Sequence, residues 1–168
     1  MGGGSGGGGF GLGPVEVKNL EERVKQTLRA SAPAEKRNVF ISFVEEDLAE
    51  VNMLRGQAKN EDSNLEFNDW SLREPFDSTN AEYIKRGIRE RIRQSSVTLV
   101  YSSQHTAGSR WVDWEIRESV ALGKGVIGVY KGDSPPSVLP AACREFRVKL
   151  VPWRQKEMTR AIRAASIN

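Results

Sequence analysis

Residues 110–122, Arg-Trp-Val-Asp-Trp-Glu-Ile-Arg-Glu-Ser-Val-Ala-Leu, hold the most informative carboxylate in the chain. Projected as a helix at about 100° per residue, Val112, Ile116, Ser119 and Val120 gather on one side with Trp111 and Leu122. Asp113 and Arg117 fall opposite, four apart, as a solvated pair. Glu115 lies between Leu122 and Val112, inside the apolar stripe. A carboxylate there must be paired, protonated or set in a cleft. It is either a buried glutamate tied to a basic neighbour or a catalytic, ligand-gripping group. Trp114 points with the polar residues, as a contact surface or under a covering loop.

Little other chemistry is on offer. The 168 residues contain one histidine, His105, and one cysteine, Cys143. An internal disulfide is impossible, and a Ser-His-Asp, Cys-His or multi-histidine metal mechanism would have to use His105. His105 sits in a Ser/Thr-rich loop, where a lone histidine is ordinarily solvated. No phosphate-binding P-loop is present and no GxGxxG follows a strand, which disfavours a Rossmann dehydrogenase. Lys85, Arg86, Arg89, Arg91 and Arg93 make one helix basic, most simply as a solvated face. Arg144, Arg147, Lys149, Arg154, Lys156, Arg160 and Arg163 form a second cluster suited to anionic ligands or a partner. Even so, 25 Lys and Arg against 22 Asp and Glu leave a net charge of only +3, which argues against nucleic acid as the main partner. With 38% hydrophobic and 28% charged residues, the composition is that of one globular domain. No run approaches the roughly 18 apolar residues of a membrane span. The first residues have neither the charged nor the apolar region of a signal peptide, and the expected location is the cytoplasm.

Alternating elements must position these groups. Residues 1–14 are a Gly-rich flexible tail. Residues 15–36 form a helical arm, with Val17, Leu20, Val24 and Leu28 at helical spacing over Val15 to Ala30 and a Glu21–Lys25 pair. The arm either packs on its own domain or mediates self-association. Residues 37–168 form the main domain. Strands are expected at Asn38–Phe43, Leu65–Asn68, Val97–Tyr101, Val126–Tyr130 and Val148–Val151. Helices are expected at Glu45–Ala58, with Leu48, Val51, Leu54 and Ala58 on one face, and at Ala81–Gln94, Trp111–Leu122 and Arg154–Ala165. Strands joined by helices of this length give right-handed crossovers and a parallel sheet. VTLVY and VIGVY lack alternation, as strands covered on both faces should. The expected fold is α/β and flavodoxin-like, with five parallel strands and helices on both faces. Ligands in such sheets bind beyond the carboxyl ends of the strands, here Ser42-Phe43, Asn68-Asp69-Trp70 and Ser102-Ser103. The polar loop Ser71–Asn80, with Pro75 and the large apolar Phe76, leaves one of these ends and is placed to act as a mobile lid.

These residues resemble a TIR domain, and within TIR proteins the ThsB-like members of Thoeris antiphage systems. The resemblance runs from about Asn38 to Ile167. VFISF is similar to the family's opening strand. FNDWSLREPF is similar to its second strand and following loop, with Asp69 at the acidic position. SSVTLVYSS followed by SRWVDWEI is the most specific part, matching an apolar strand, two hydroxyl residues and Trp-x-x-x-Glu on a helix. GKGVIGVY resembles the fourth strand, and VPW, with Trp153, the end of the fifth. One departure stands out. Several catalytic members carry a basic residue directly after the aromatic of the first strand, and here Phe43 is followed by Val44, Glu45 and Glu46.

The resemblance implies cleavage of NAD between nicotinamide and ribose, with release of an ADP-ribose-derived signal. It places the catalytic glutamate on Glu115 and the nicotinamide-flanking aromatic on Trp111. Ser42, Phe43, Asp69, Trp70, Phe76, Ser102 and Trp153 are the expected substrate-binding residues. NAD is the substrate, and no metal or further cofactor is expected. The implied partners are further copies of the chain, through TIR surfaces and the N-terminal helix, and a phage-derived trigger. Two other readings compete: a non-catalytic TIR-like adaptor, and a receiver-like module. The receiver-like module is weakened because the third strand ends in Tyr101-Ser102-Ser103 without an Asp.

Overall fold

The computed structural model describes residues 14–31, 36–62, 64–69 and 75–166, with the backbone alone for 28–31. The chain divides into two compact units, Met1–Ala34 and Glu35–Asn168. In the first, α1 (Pro14–Ser31) leaves Val15, Val17, Leu20 and Val24 exposed. Lys25 pairs with Glu22 at 3.8 Å, not with Glu21 as the spacing suggested. The side chain of Leu28, the last of the expected stripe, lies outside the described residues.

The second unit runs β1 (Arg37–Ser42), a 3-10 turn (Glu45–Asp47), α2 (Leu48–Glu61), β2 (Leu65–Asn68), α3 (Ala81–Gln94), β3 (Val97–Tyr101), α4 (Arg110–Ala121), β4 (Gly125–Tyr130), α5 (Ala141–Glu145), β5 (Lys149–Pro152) and α6 (Gln155–Ala165). The five strands are parallel in the order β2-β1-β3-β4-β5, the flavodoxin-like arrangement. The direction of chain winding reverses between β1 and β3, where Val39 is level with Val97 and Ser42 with Val100.

Alternation along the strands divides the core. Val39, Ile41, Phe43, Leu99 and Tyr101 pack towards Val51 and Leu54 of α2 and Met158 and Ile162 of α6. On the other face Phe40 meets Ile84, Ile88 and Ile92 of α3 together with Trp111, while Val100 meets Val112 and Ile116 of α4. Leu48, expected on the buried face of its helix, is 44% exposed. The chain leaves β1 through the 3-10 turn, so α2 starts later than its apolar spacing suggests and Leu48 sits at its exposed first position. The short α5 was not foreseen. Its first turn is held by Asp113, whose Oδ1 accepts the Ala142 N–H at 2.7 Å. Asp113 and Arg117 do pair, at 2.8 Å, but half-buried, and Arg117 also reaches Glu145 at 2.6 Å. No described helix is long and apolar enough to cross a membrane.

Candidate active site

Helix α4 presents polar atoms to the sheet at two places. Ser119 Oγ donates to the carbonyl of Glu115 and lies 2.7 Å from Thr98 Oγ1 of β3. One turn nearer the carboxyl ends of the strands, Glu115 accepts a hydrogen bond on Oε2 from Ser42 Oγ, the last residue of β1. Glu115 has no exposed surface. The helix is held at its start by Ser109, whose Oγ accepts from the Val112 N–H at 3.2 Å. The carboxylate is thus held at the β1/β3 switch point by the hydroxyl of Ser42.

Around this pair the structure gathers some of the expected residues and disperses others. Trp111, one turn before Glu115, is buried among Phe40, Ile84 and Ile88. Phe76 stands edge-on to it at 4.8 Å between ring centres, and Trp114 edge-on at 6.1 Å. Lys85 and Arg110 lie over the Phe76 ring at 4.3 and 4.5 Å. Arg110 is bonded to Asp77, so the described end of the 71–80 loop is fastened to the start of α4. Trp114 lies at the edge of the same aromatic cluster, half-buried under Lys85 and Arg89. Trp70 and residues 71–74 lie outside the described residues.

Phe43 turns to the opposite face of the sheet from Ser42, and Arg55 of α2 lies over its ring at 5.7 Å. Arg55 also bonds Asp69 at 2.5 Å. A basic group from the next helix therefore lies against Phe43, although the chain has none directly after it. Sequence spacing gave no sign of it. Ser102 is buried at the end of β3, with its N–H donating to the Val129 carbonyl at 2.8 Å. Trp153 follows β5, at the sheet edge with β3 and β4 between it and β1, and packs edge-on against Tyr101 on the α2/α6 side. The rings of Phe43 and Trp153 thus both pack on the α2/α6 side of the sheet, the face opposite α4.

Three hollows follow the loop from Ser102 to Arg110. One of about 320 Å³ is lined by Val44, Glu45, Glu46, His105, Ser109 and Trp111, over the switch point. It shares Ser109 with a hollow of about 360 Å³ walled by Phe76, Trp114, Arg110 and Arg117. It shares His105 with a third, of about 420 Å³, beyond the ends of β3 and β4. Glu115 lines none of the three. The third hollow was not foreseen. Its Asp47 accepts from Ser103 Oγ at 2.6 Å, and burial raises the Asp47 carboxyl above its ordinary range against the pull of that bond and of His105. Burial also pushes the Cys143 thiol up to about 11, with the charge of Asp113 adding to it, so this buried cysteine is no nucleophile.

Comparison with known proteins agrees with the geometry. Residues 40–135 match the family model described as Thoeris protein ThsB, TIR-like domain. A protein of Bacillus cereus (strain MSX-D12) named "Putative cyclic ADP-D-ribose synthase ThsB1" is 33% identical over 98 residues, which cover 56% of this chain and 51% of that protein. The match thus spans about half the length of that relative. Among solved structures, a Clostridium botulinum CMP N-glycosidase, BcmB, aligns over 76% of this chain and 98% of its own at 13% identity and a TM-score of 0.47, a likeness too loose to bear on function. The family match covers more than half of the chain, including the switch point, α4 and Glu115, and the chain belongs to the ThsB TIR-like domain family.

Proposed function

We propose that this chain cleaves NAD between nicotinamide and ribose and releases an ADP-ribose-derived nucleotide signal in antiphage defence. The observation that carries the reading is Glu115: a carboxylate on the buried face of α4, bonded to Ser42 at the β1/β3 switch point, one turn beyond Trp111. As the C1′–N bond breaks, its electron pair leaves with neutral nicotinamide and the ribose becomes oxocarbenium-like. A carboxylate fixed beside C1′ stabilises that charge, and its lone pairs can hold the ribose hydroxyls. Ser42 positions the carboxylate through its O–H. Trp111 is the flanking aromatic and Phe76 the lid residue closing on it. Substrate reaches Glu115 when the 71–80 loop and Trp111 shift to open the hollow over the switch point. Water attack gives ADP-ribose and loses a proton, whereas attack by an atom of the same molecule gives a cycle. Self-association through TIR surfaces and α1 would complete the site, and a phage-derived trigger would set it off.

A second reading draws on a specific observation. Glu115 is fully buried and its neighbour Ser119 makes the same kind of bond to Thr98, as expected of a helix locked to a sheet in a non-catalytic interaction module. The two readings are separated by incubating concentrated protein with NAD and resolving the products by mass. An enzyme yields nicotinamide plus one ADP-ribose-derived mass; a module leaves NAD intact at every concentration and with every trigger tried.

A further inference from the structure

The hollow beyond β3 and β4 has a built polar wall that does not include Glu115. Asp47 is 5% exposed, with one carboxylate oxygen held by Ser103. Tyr101 forms part of the floor, and its hydroxyl is pushed up to about 12 by burial and by the charges of Glu50 and Asp47. It therefore keeps its proton and remains a donor. Ser102, also lining the hollow and 2% exposed, has a hydroxyl with no hydrogen-bond partner among the described residues. His105 and Lys131 complete the rim.

These groups select a ligand class. The field of Asp47 and Glu50 repels an anion from the interior. Among the described residues no three His, Cys, Asp or Glu side chains converge as a metal requires. What suits two carboxylates beside spare hydroxyls is a neutral group with several O–H donors, and a carboxylate takes vicinal hydroxyls as it does those of ribose. We propose that this hollow binds the ribose of a nucleotide by its vicinal hydroxyls, through Asp47 and Glu50, with its phosphate leading out past Lys131. His105 belongs to both this hollow and the one over the switch point. A dinucleotide reacting at Glu115 would set its second ribose here, a placement that rests on the proposed NAD cleavage, whereas binding of a mononucleotide does not.

The chain's single histidine lines the hollow, and the Asp47 variant assigns its signal to this hollow and not to the one over the switch point. Adenosine 5′-monophosphate is titrated into the full chain while the His105 ring protons are followed by NMR. A saturable shift is expected, weakened about tenfold or more for the 2′,3′-dideoxy nucleotide and for Asp47→Asn, because each loses hydrogen bonds to a charged group. Lys131→Met should weaken binding less. Glu115→Gln should bind like the wild type, and that contrast keeps the hollow apart from the proposed catalysis. Should Asp47→Asn misfold, Glu50→Gln takes its place. Equal shifts with inorganic phosphate or the dideoxy nucleotide, or loss of binding in Glu115→Gln alone, would overturn the proposal. NAD turnover that survives such a result would leave the reading of Glu115 standing.

Discussion

Ser42 and Glu115 lie 73 positions apart and share one hydrogen bond across β1 and α4. Both members of that pair are legible as site residues, but the bond between them is not. Glu115 betrays itself by falling in an apolar helical stripe, but its partner is a small residue at a strand end, chosen by the sheet register. Asp47 and Arg55 are illegible for the same reason: Ser103, 56 residues on, and Phe43 with Asp69 become their neighbours only once the strands align. Two outcomes follow at this scale. Ser42→Ala removes a donor from a buried carboxylate and should cost about 1–3 kcal/mol in urea denaturation; wild-type stability would mean the bond is not formed. Asp47→Asn should act in the opposite direction. Burial holds the Asp47 carboxyl above its ordinary range, so its charge opposes folding above the folded pKa and this cost is relieved as pH falls. The variant should melt higher than the wild type at pH 7, with the gap closing on acidification.

Some elements that carry long periodic or continuous apolar patterns are read correctly from sequence, whereas α2 is displaced by the 3-10 turn before it. Helix α3, with Ile84, Ile88 and Ile92 in line, and β3, apolar throughout, occupy the ranges their spacing implies. Five-residue α5 is too short for a period to show, and its start depends on Asp113 of another helix. The approach of α6 to β4 is equally invisible in the chain. At Gly125 a Cβ would come within 2.3 Å of the Ala165 carbonyl oxygen, and backbone, not a flexible side chain, would have to move. Gly125→Ala should therefore destabilise by about 1–3 kcal/mol, an overpacking cost, whereas Gly56→Ala, with open space around it, should not. Equal melting temperatures for the two variants would contradict this packing.

Across the main unit, Asp62 ties β1 to α6. Its carboxylate accepts from Arg163 at 2.9 and 3.3 Å and from Arg37 at 3.5 Å. Burial alone would raise this carboxyl, but the Arg163 and Asn64 hydrogen bonds and the charges of Arg163 and Arg37 together hold it below its ordinary value. A lowered folded pKa gives stability that is complete above the unfolded value, about 3.9, and fades as pH falls through the folded one. Asp62→Asn should be less stable at pH 7 and lose less on acidification below about pH 4, as read by thermal melts across that range. A parallel pH profile would show the cluster contributes nothing.

The proposed cleavage turns on the charge of Glu115, and nicotinamide release from NAD by wild type and Glu115→Gln, at concentrations that allow assembly, tests it most directly. Gln keeps the size and the Ser42 contact and removes the charge. Release by the wild type is expected, with a loss on the order of 10²-fold or more in a variant that melts at or above the wild-type temperature, as for other electrostatic stabilisers. Equal release by the two proteins, or none by the wild type when concentrated and triggered, would contradict it.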